Sequence, residues 1–221
     1  SMPIGAYSEK HIMPENKLVP VPDGVSDEVA SCVTLKGITA EYLLHRAYPL
    51  KKGDKVLYHA AAGALGQILC PWANSIGAEI IGTVGSKEKE EIAKKNGCHH
   101  VINYTDKNFV EEVEKIVGKN GIDVVYDGVG LKTFEGSIEV LKIRGMMVAF
   151  GNASGYVDTI DVKKHINAKG LFFTRPSIAH YTIEREELLE SAKKVFDAVL
   201  SGKFKIEISK KYSLDEVKQA H

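Results

Sequence analysis

The sequence has no excess of charge of either sign: Lys+Arg and Asp+Glu each number 29, so the formal net charge is zero. Proteins that live on nucleic-acid phosphates usually carry a basic surplus, so no nucleic-acid partner is expected. Long apolar runs are also missing; none reaches the ~18 residues of a membrane-spanning helix, and no membrane role is expected. The N-terminus lacks the basic-then-apolar order of a signal peptide, and Ser1-Met2 reads as a cloning remnant before an initiator methionine. Cysteine is scarce. Cys32, Cys70 and Cys98 are odd in number, far apart and without a CxxC pair. That pattern argues against a disulfide frame or a thiolate zinc site, and for buried thiols in a reducing, cytoplasmic setting. His99-His100 are adjacent, which is not the spacing of helical metal ligands, so no metal is expected. No internal repeat or low-complexity segment is present, and "KEKEEIAKK" is a solvated helix face.

What the chain does have is alternation. Short β-branched runs at 55–60, 79–84, 100–103, 122–127, 146–151 and 170–177 are separated by helical patterns at 63–76, 87–96, 107–117, 131–141 and 162–168. Strands apolar on both faces belong in a parallel sheet covered by helices. Six of them in this rhythm predict an α/β fold, a doubly wound parallel Rossmann sheet of order 3-2-1-4-5-6. Gly77, Gly97 and Gly145 each follow a helical run, where a left-handed cap is expected. Outside the sheet lie a helix capped by Ser26, a further helix from Lys36 to Tyr48, a long helix at 184–201, a strand at 205–209 and a helix capped by Ser213. The expected division is 1–34 and 178–221 as parts of a second domain, with 35–177 as the dinucleotide-binding unit.

The turn after the first strand reads "AAGALG". It is one glycine short of the dinucleotide fingerprint, with Ala61 in the first glycine's place and Gly63 and Gly66 present. Gly63 permits close backbone approach to a pyrophosphate and Gly66 close helix–strand packing, while the helix N-terminus supplies orphan N–H donors. A plain strand-to-helix turn without a ligand is the alternative. The second strand ends in Val84-Gly85-Ser86, with no carboxylate to hold a ribose diol. A carboxylate there would repel a 2′-phosphate. Its absence, with Ser86 beside Lys87 and Lys89, favours NADPH over NADH.

Taken in order, "LKGITAEYLL", "HAAAGALGQI", "IGTVGSKEK", "VINY", "VVYDGVG", "GMMVAFGNASG" and "FTRPSI" resemble the zinc-free quinone oxidoreductases. These belong to the medium-chain dehydrogenase/reductase superfamily, in the group that includes zeta-crystallin. The resemblance covers nearly the whole chain. It implies NADPH as cofactor and a quinone or other small electrophile as substrate. It places Thr39 at the nicotinamide amide and Ala62, Gly63, Ala64, Leu65 and Gly66 along the pyrophosphate. Gly85, Ser86, Lys89 and Tyr104 would surround the 2′-phosphate, and Phe150, Gly151, Asn152 and Ser154 would lie beside the nicotinamide ribose or ring. It also implies a homodimer through edge pairing of the sixth strand, and a GroES-like catalytic domain of which this chain holds only remnants. Asp127 is structural in the family and is not nominated. Gly128 stands where the family often has serine, which leaves no polar contact from that position.

Each position also has a plainer reading: Thr39 bonding back within its helix, Tyr104 packed on the sheet, Phe150 in the core. A quinone accepts hydride without a metal or an essential general acid, so no catalytic residue is assigned. The reading is an NADPH:quinone reductase. The alternatives are an alkenal or enone reductase on the same scaffold, and an NADPH-binding module without turnover.

Overall fold

A computed structural model describes residues 5–221; the Ser1–Met2 reading lies outside them. Six parallel strands form one sheet: β1 (Lys55–His59), β2 (Glu79–Val84), β3 (His100–Asn103), β4 (Ile122–Asp127), β5 (Leu141–Ala149) and β6 (Phe172–Thr174). Their order is β3-β2-β1-β4-β5-β6, as the sequence rhythm predicts. Helices α1 (Asp27–Tyr42), α2 (Gly66–Ile76), α3 (Lys87–Lys95), α4 (Phe109–Val117), α5 (Phe134–Val140), α6 (Arg185–Leu200) and α7 (Val217–Ala220) complete the chain.

Alternate residues of each strand feed two cores. Val56, Tyr58, Ile80, Val124, Tyr126 and Val148 face α1, α2 and α6, where Val33, Leu43, Leu69, Trp72, Val195 and Phe196 meet them. Leu57, Ile81, Val125 and Met147 face the other way, toward Val113 of α4 and Phe134 and Ile138 of α5. Each such Leu, Ile or Val stabilises the fold by roughly 1.5–3 kcal/mol, which is why strands apolar on both faces settle in the middle layer.

Helix starts follow their caps. Ser26 accepts from the Val29 N–H, Ser86 from Lys89 N–H and Asn108 from Val110 N–H, and Ser213 and Glu216 form a capping box. Gly77 (φ 94°) and Gly97 (φ 84°) are left-handed as expected. Gly145 is not: the left-handed residue is Arg144 (φ 61°), and β5 begins at Leu141, directly after α5. The turn that periodicity places at a helix end therefore lies inside an irregular strand, whose register against β4 shifts between Ile122 and Val124. α2 begins at Gly66 rather than 63, because the chain first turns through Ala60 in the left-handed region.

The two helices expected at 26–34 and 36–48 are one unbroken helix, α1, which continues as a π-turn over Leu43–Ala47. Gly37 does not interrupt it; a Cβ there would lie 2.4 Å from Val195, so the glycine lets α6 approach. The boundary expected between 34 and 35 thus falls inside a helix. The strand expected at 205–209 does not form. A strand needs a partner ladder, and among the described residues none pairs with this segment, which has no regular secondary structure, with Ile206 against the core and Glu207 bonded to Lys95 at 2.6 Å.

Candidate dinucleotide site

The carboxyl ends of the strands meet at the crevice between β1 and β4, where the sheet order reverses and open α/β folds take their ligands. The turn from β1 to α2 is tight and nearly free of side chains. Ala60 (φ 61°) carries the left-handed strain, and Ala61 is buried with its N–H donated to Thr83 O at 3.0 Å. Alanine therefore suffices where a fingerprint glycine stands, because the unusual φ lies one residue earlier. A Cβ on Gly66 would sit 2.3 Å from Ala61 O, so no other residue fits the close packing of α2 on β1. Gly63 is exposed, with a would-be Cβ 3.1 Å from Ala60 O. Among the described residues the N–H groups of Ala64, Leu65 and Gly66 find no acceptor, and they head α2. Ala62 is half-buried, its carbonyl taken by the Gln67 side chain at 3.2 Å. A short row of free donors at a helix N-terminus suits a diphosphate.

At the next tip, Gly85, Ser86 and Tyr104 come together. A Cβ on Gly85 would lie 3.0 Å from the Tyr104 hydroxyl, so the phenol closes over the glycine. Ser86 Oγ accepts from Lys89 N at 3.3 Å and keeps its proton for a ligand. Lys89 is exposed on the first turn of α3, and Tyr104 is 41% exposed, its edge open to solvent rather than buried on the sheet. The tip itself, Val84-Gly85-Ser86, carries no carboxylate; the nearest acidic residues in sequence are Glu88 and Glu90 in the first turn of α3.

The nicotinamide-side residues divide. Thr39, Leu65 and Phe150 share a cleft of about 500 Å³ with Tyr42, Arg175 and His180. Thr39 Oγ1 donates to Leu35 O at 2.9 Å, the back-bond within its own helix. Phe150 is half-buried and stacks at 6.3 Å on Tyr58; its ring lies 2.9 Å from where a Cβ of Gly128 would stand, which explains the glycine there. Gly151 and Asn152 line a different, smaller cavity of about 230 Å³, which Arg175 also borders. A Cβ on Gly151 would lie 2.4 Å from Gly128 O. Ser154 Oγ is occupied: it donates to Val129 O at 2.9 Å and accepts from Lys132 N at 3.0 Å, stapling two loops.

Asp127 is fully buried and serves the fold. Its Oδ1 accepts from the N–H of Val129 and Gly130 at 2.7 and 3.0 Å, its Oδ2 from Thr133 Oγ1 at 2.7 Å. Burial and the neighbouring Tyr181 phenol push Tyr42 up to about 12, partly offset by Arg175 and Arg46, so this phenol stays protonated near neutrality.

Sequence reasoning passed over Arg175, His180 and Tyr42. Arg175 sits in the quoted "FTRPSI", and its Nη1 donates to Ala149 O at 2.7 Å. Nothing in local pattern marks it, because the cleft is assembled from α1 and the segment after β6, far apart in sequence. Among the described residues no helix is long and apolar enough to cross a membrane, and no group of three or more His, Cys, Asp or Glu is placed to hold a metal.

Against known proteins, residues 64–200 match the family described as zinc-binding dehydrogenase. The chain is 46% identical over 222 residues to a 2-haloacrylate reductase of Burkholderia sp, covering 99% of this chain and 67% of that protein. It is 42% identical to quinone oxidoreductase 1 of Escherichia coli (strain K12), with the same 99% and 67% coverage. The solved Escherichia coli quinone oxidoreductase complexed with NADPH superimposes with a TM-score of 0.91 at 41% identity, over 97% of this chain and 66% of that one. The chain thus spans about two thirds of the length of these relatives. A six-stranded sheet of this order, a side-chain-poor first turn and these identities place the chain in the zinc-binding dehydrogenase family, among the quinone oxidoreductases of the medium-chain dehydrogenase/reductase superfamily.

Proposed function

We propose that this chain binds NADPH along the carboxyl edge of its sheet and, in the whole enzyme, serves an oxidoreductase that reduces a quinone. The observation that carries the reading is the pairing of two tips. The β1–α2 turn offers free N–H groups at Ala64, Leu65 and Gly66, and the β2 tip offers hydroxyls of Ser86 and Tyr104 with no carboxylate. The first suits a diphosphate, the second an additional phosphate on the ribose.

When bound, the nicotinamide supplies the hydride. The chain's own part is to bind and orient. Lys89, exposed in the first turn of α3, would supply a cation to an additional phosphate held at the Ser86 tip. Phe150, held by Tyr58 and by the Gly128–Gly151 contact, forms a flat wall of the cleft. Leu65 and Thr39 also line it, the Thr39 hydroxyl having its proton committed to Leu35 O. Gly151 and Asn152 line the neighbouring cavity and would meet the ribose from behind the β5 tip, and Ser154 would act on that loop only through its staple. No protein proton donor is assigned, since solvent can protonate a reduced quinone. The reading needs no metal.

Of the residues outside 35–177, those before α1 and after α6 are proposed as parts of a second domain, while α1 and α6 belong to the core of the sheet itself. The sixth strand supports a homodimer: Phe172–Thr174 pair only with β5 among the described residues, and Phe172 is 57% exposed at that edge. Three free thiols, two of them buried, support a reducing, cytoplasmic setting. A reductase of electron-poor alkenes is the second reading, favoured by the 46% identity to a 2-haloacrylate reductase.

Titration calorimetry with NADPH tests the binding reading. NADPH oxidation with 9,10-phenanthrenequinone against 2-chloroacrylate separates the two substrates. Binding without turnover of either would leave an NADPH-binding module and remove the enzymatic reading for this chain.

A further inference from the structure

We propose that His59 is a positioning residue that couples the two halves of the dinucleotide site, an inference that rests on the NADPH reading above. His59 is the last residue of β1 and is 1% exposed. Its ring bridges two hydroxyls, with Nδ1 2.9 Å from Thr83 Oγ1 on β2 and Nε2 2.9 Å from Ser137 Oγ on α5. The Phe109 ring packs against it in a T-shaped arrangement, with ring centroids 5.1 Å apart.

The proton directions follow from the partners. Ser137 Oγ lies 2.7 Å from the carbonyl of Thr133, which only accepts, so the serine donates there. Its lone pair must then accept from His59 Nε2–H. Nδ1 is left bare and accepts from the Thr83 hydroxyl. His59 is a neutral ring with one fixed tautomer, and burial holds its pKa below the ordinary value against the pull of Asp127.

The chain of bonds does not stop at Ser137. Thr133 Oγ1 donates to Asp127 Oδ2, and Asp127 Oδ1 gathers the N–H groups of Val129 and Gly130. The Asp127 carbonyl accepts from Phe150 and Gly151 N–H at 2.9 and 3.2 Å. At the other end, Thr83 O holds Ala61 N–H of the first turn. One buried path therefore joins the β2 tip, the diphosphate turn, the β4 tip and the loop after β5.

Its location is the argument for a role beyond packing. The β1–β4 ladder ends at Tyr58 opposite Tyr126. His59 and Asp127 are the next residues, so backbone pairing stops where the crevice opens. From there this hydrogen-bonded path, beside the Tyr58–Phe150 stack, ties the tips proposed for adenosine to those proposed for the nicotinamide. A ligand that spans both halves gains from that fixed spacing; a ligand that occupies one half does not.

The test compares a spanning ligand with a half-ligand. Titrate the whole chain and its His59→Leu and Ser137→Ala variants with NADPH and with 2′,5′-ADP, and record the melting temperature of each. Ser137→Ala cuts only the link toward β4 and carries the test should His59→Leu not fold. His59→Gln keeps one donor and one acceptor and serves as rescue. The expected result is NADPH weakened about fivefold or more in His59→Leu and Ser137→Ala, with 2′,5′-ADP within about twofold of the parent and His59→Gln close to it. Folded variants that bind NADPH as the parent does, or that lose NADPH and 2′,5′-ADP equally, would overturn the coupling. Failure of the unsubstituted chain to bind either ligand would instead sink the cofactor reading first, and the coupling with it.

Discussion

The two ends of the crevice are built differently. The side proposed for adenosine comes from consecutive units of sequence, β1 to β3 with their turns, and its groups are set by backbone: a left-handed Ala60, a Gly66 with no room for Cβ, and a capped α3. The side proposed for the nicotinamide is assembled from four distant segments, α1, Leu65 of the first turn, the loop after β5 and the stretch after β6, around an open cleft of about 500 Å³. Local geometry fixes the first, and tertiary packing fixes the second. A side chain added at the first end should be felt in the fold, and one removed at the second mainly in ligand orientation.

The largest effect expected is at the backbone-defined end. Gly66→Ala forces a Cβ to 2.3 Å from Ala61 O, which can only be relieved by moving α2 off β1. A loss of about 3 kcal/mol is expected by urea denaturation, at the upper end of overpacking costs. A variant as stable as the parent would mean the turn relaxes freely. Next is Lys89→Ala, which should weaken NADPH about tenfold while barely changing NADH, the size of one charge-assisted bond. Equal weakening of both would take Lys89 away from the 2′-phosphate.

A graded effect comes from pH. His59 has a pKa held down from 6.5 by burial, so below about 6.5 the unfolded chain binds a proton that the folded chain refuses. This contribution to stability is complete above that value and declines as pH falls from it toward the folded pKa. Denaturation midpoints at pH 7.5, 6.5 and 5.5 should fall in that order, and the part of the slope due to His59 should vanish in His59→Gln. The smallest effect is Thr39→Val at the open end. The Thr39 hydroxyl only back-bonds to Leu35, so stability should change by less than about 0.5 kcal/mol. A larger loss in denaturation would show that the hydroxyl holds more than its own helix.

The same contrast explains what could be read from the sequence. β2, β3 and β4 lie where apolar, β-branched runs put them, and the sheet order follows from strict alternation with helices. Ser26 and Ser213 announce their helices by chemistry that acts within three residues. The failures are all non-local. Residues 205–209 have strand composition but no partner edge. Arg144 takes the left-handed turn expected of Gly145, because β5 must leave α5 at once to meet β4. At the candidate site, Ala61 through Gly66 and Gly85-Ser86 are two short continuous stretches, which is why both could be nominated from the sequence. His59 carried no signal, since its partners Thr83 and Ser137 are 24 and 78 residues away. Arg175 and His180 reach the cleft only through the fold.

The most direct measurement is a calorimetric titration of the unsubstituted chain with NADPH and NADH at one pH and salt concentration. Saturable binding of NADPH, tighter than NADH and displaced by 2′,5′-ADP, is what the free turn donors and the carboxylate-free second tip predict. No heat of binding at saturating NADPH, or equal affinity for the two nucleotides, would contradict it.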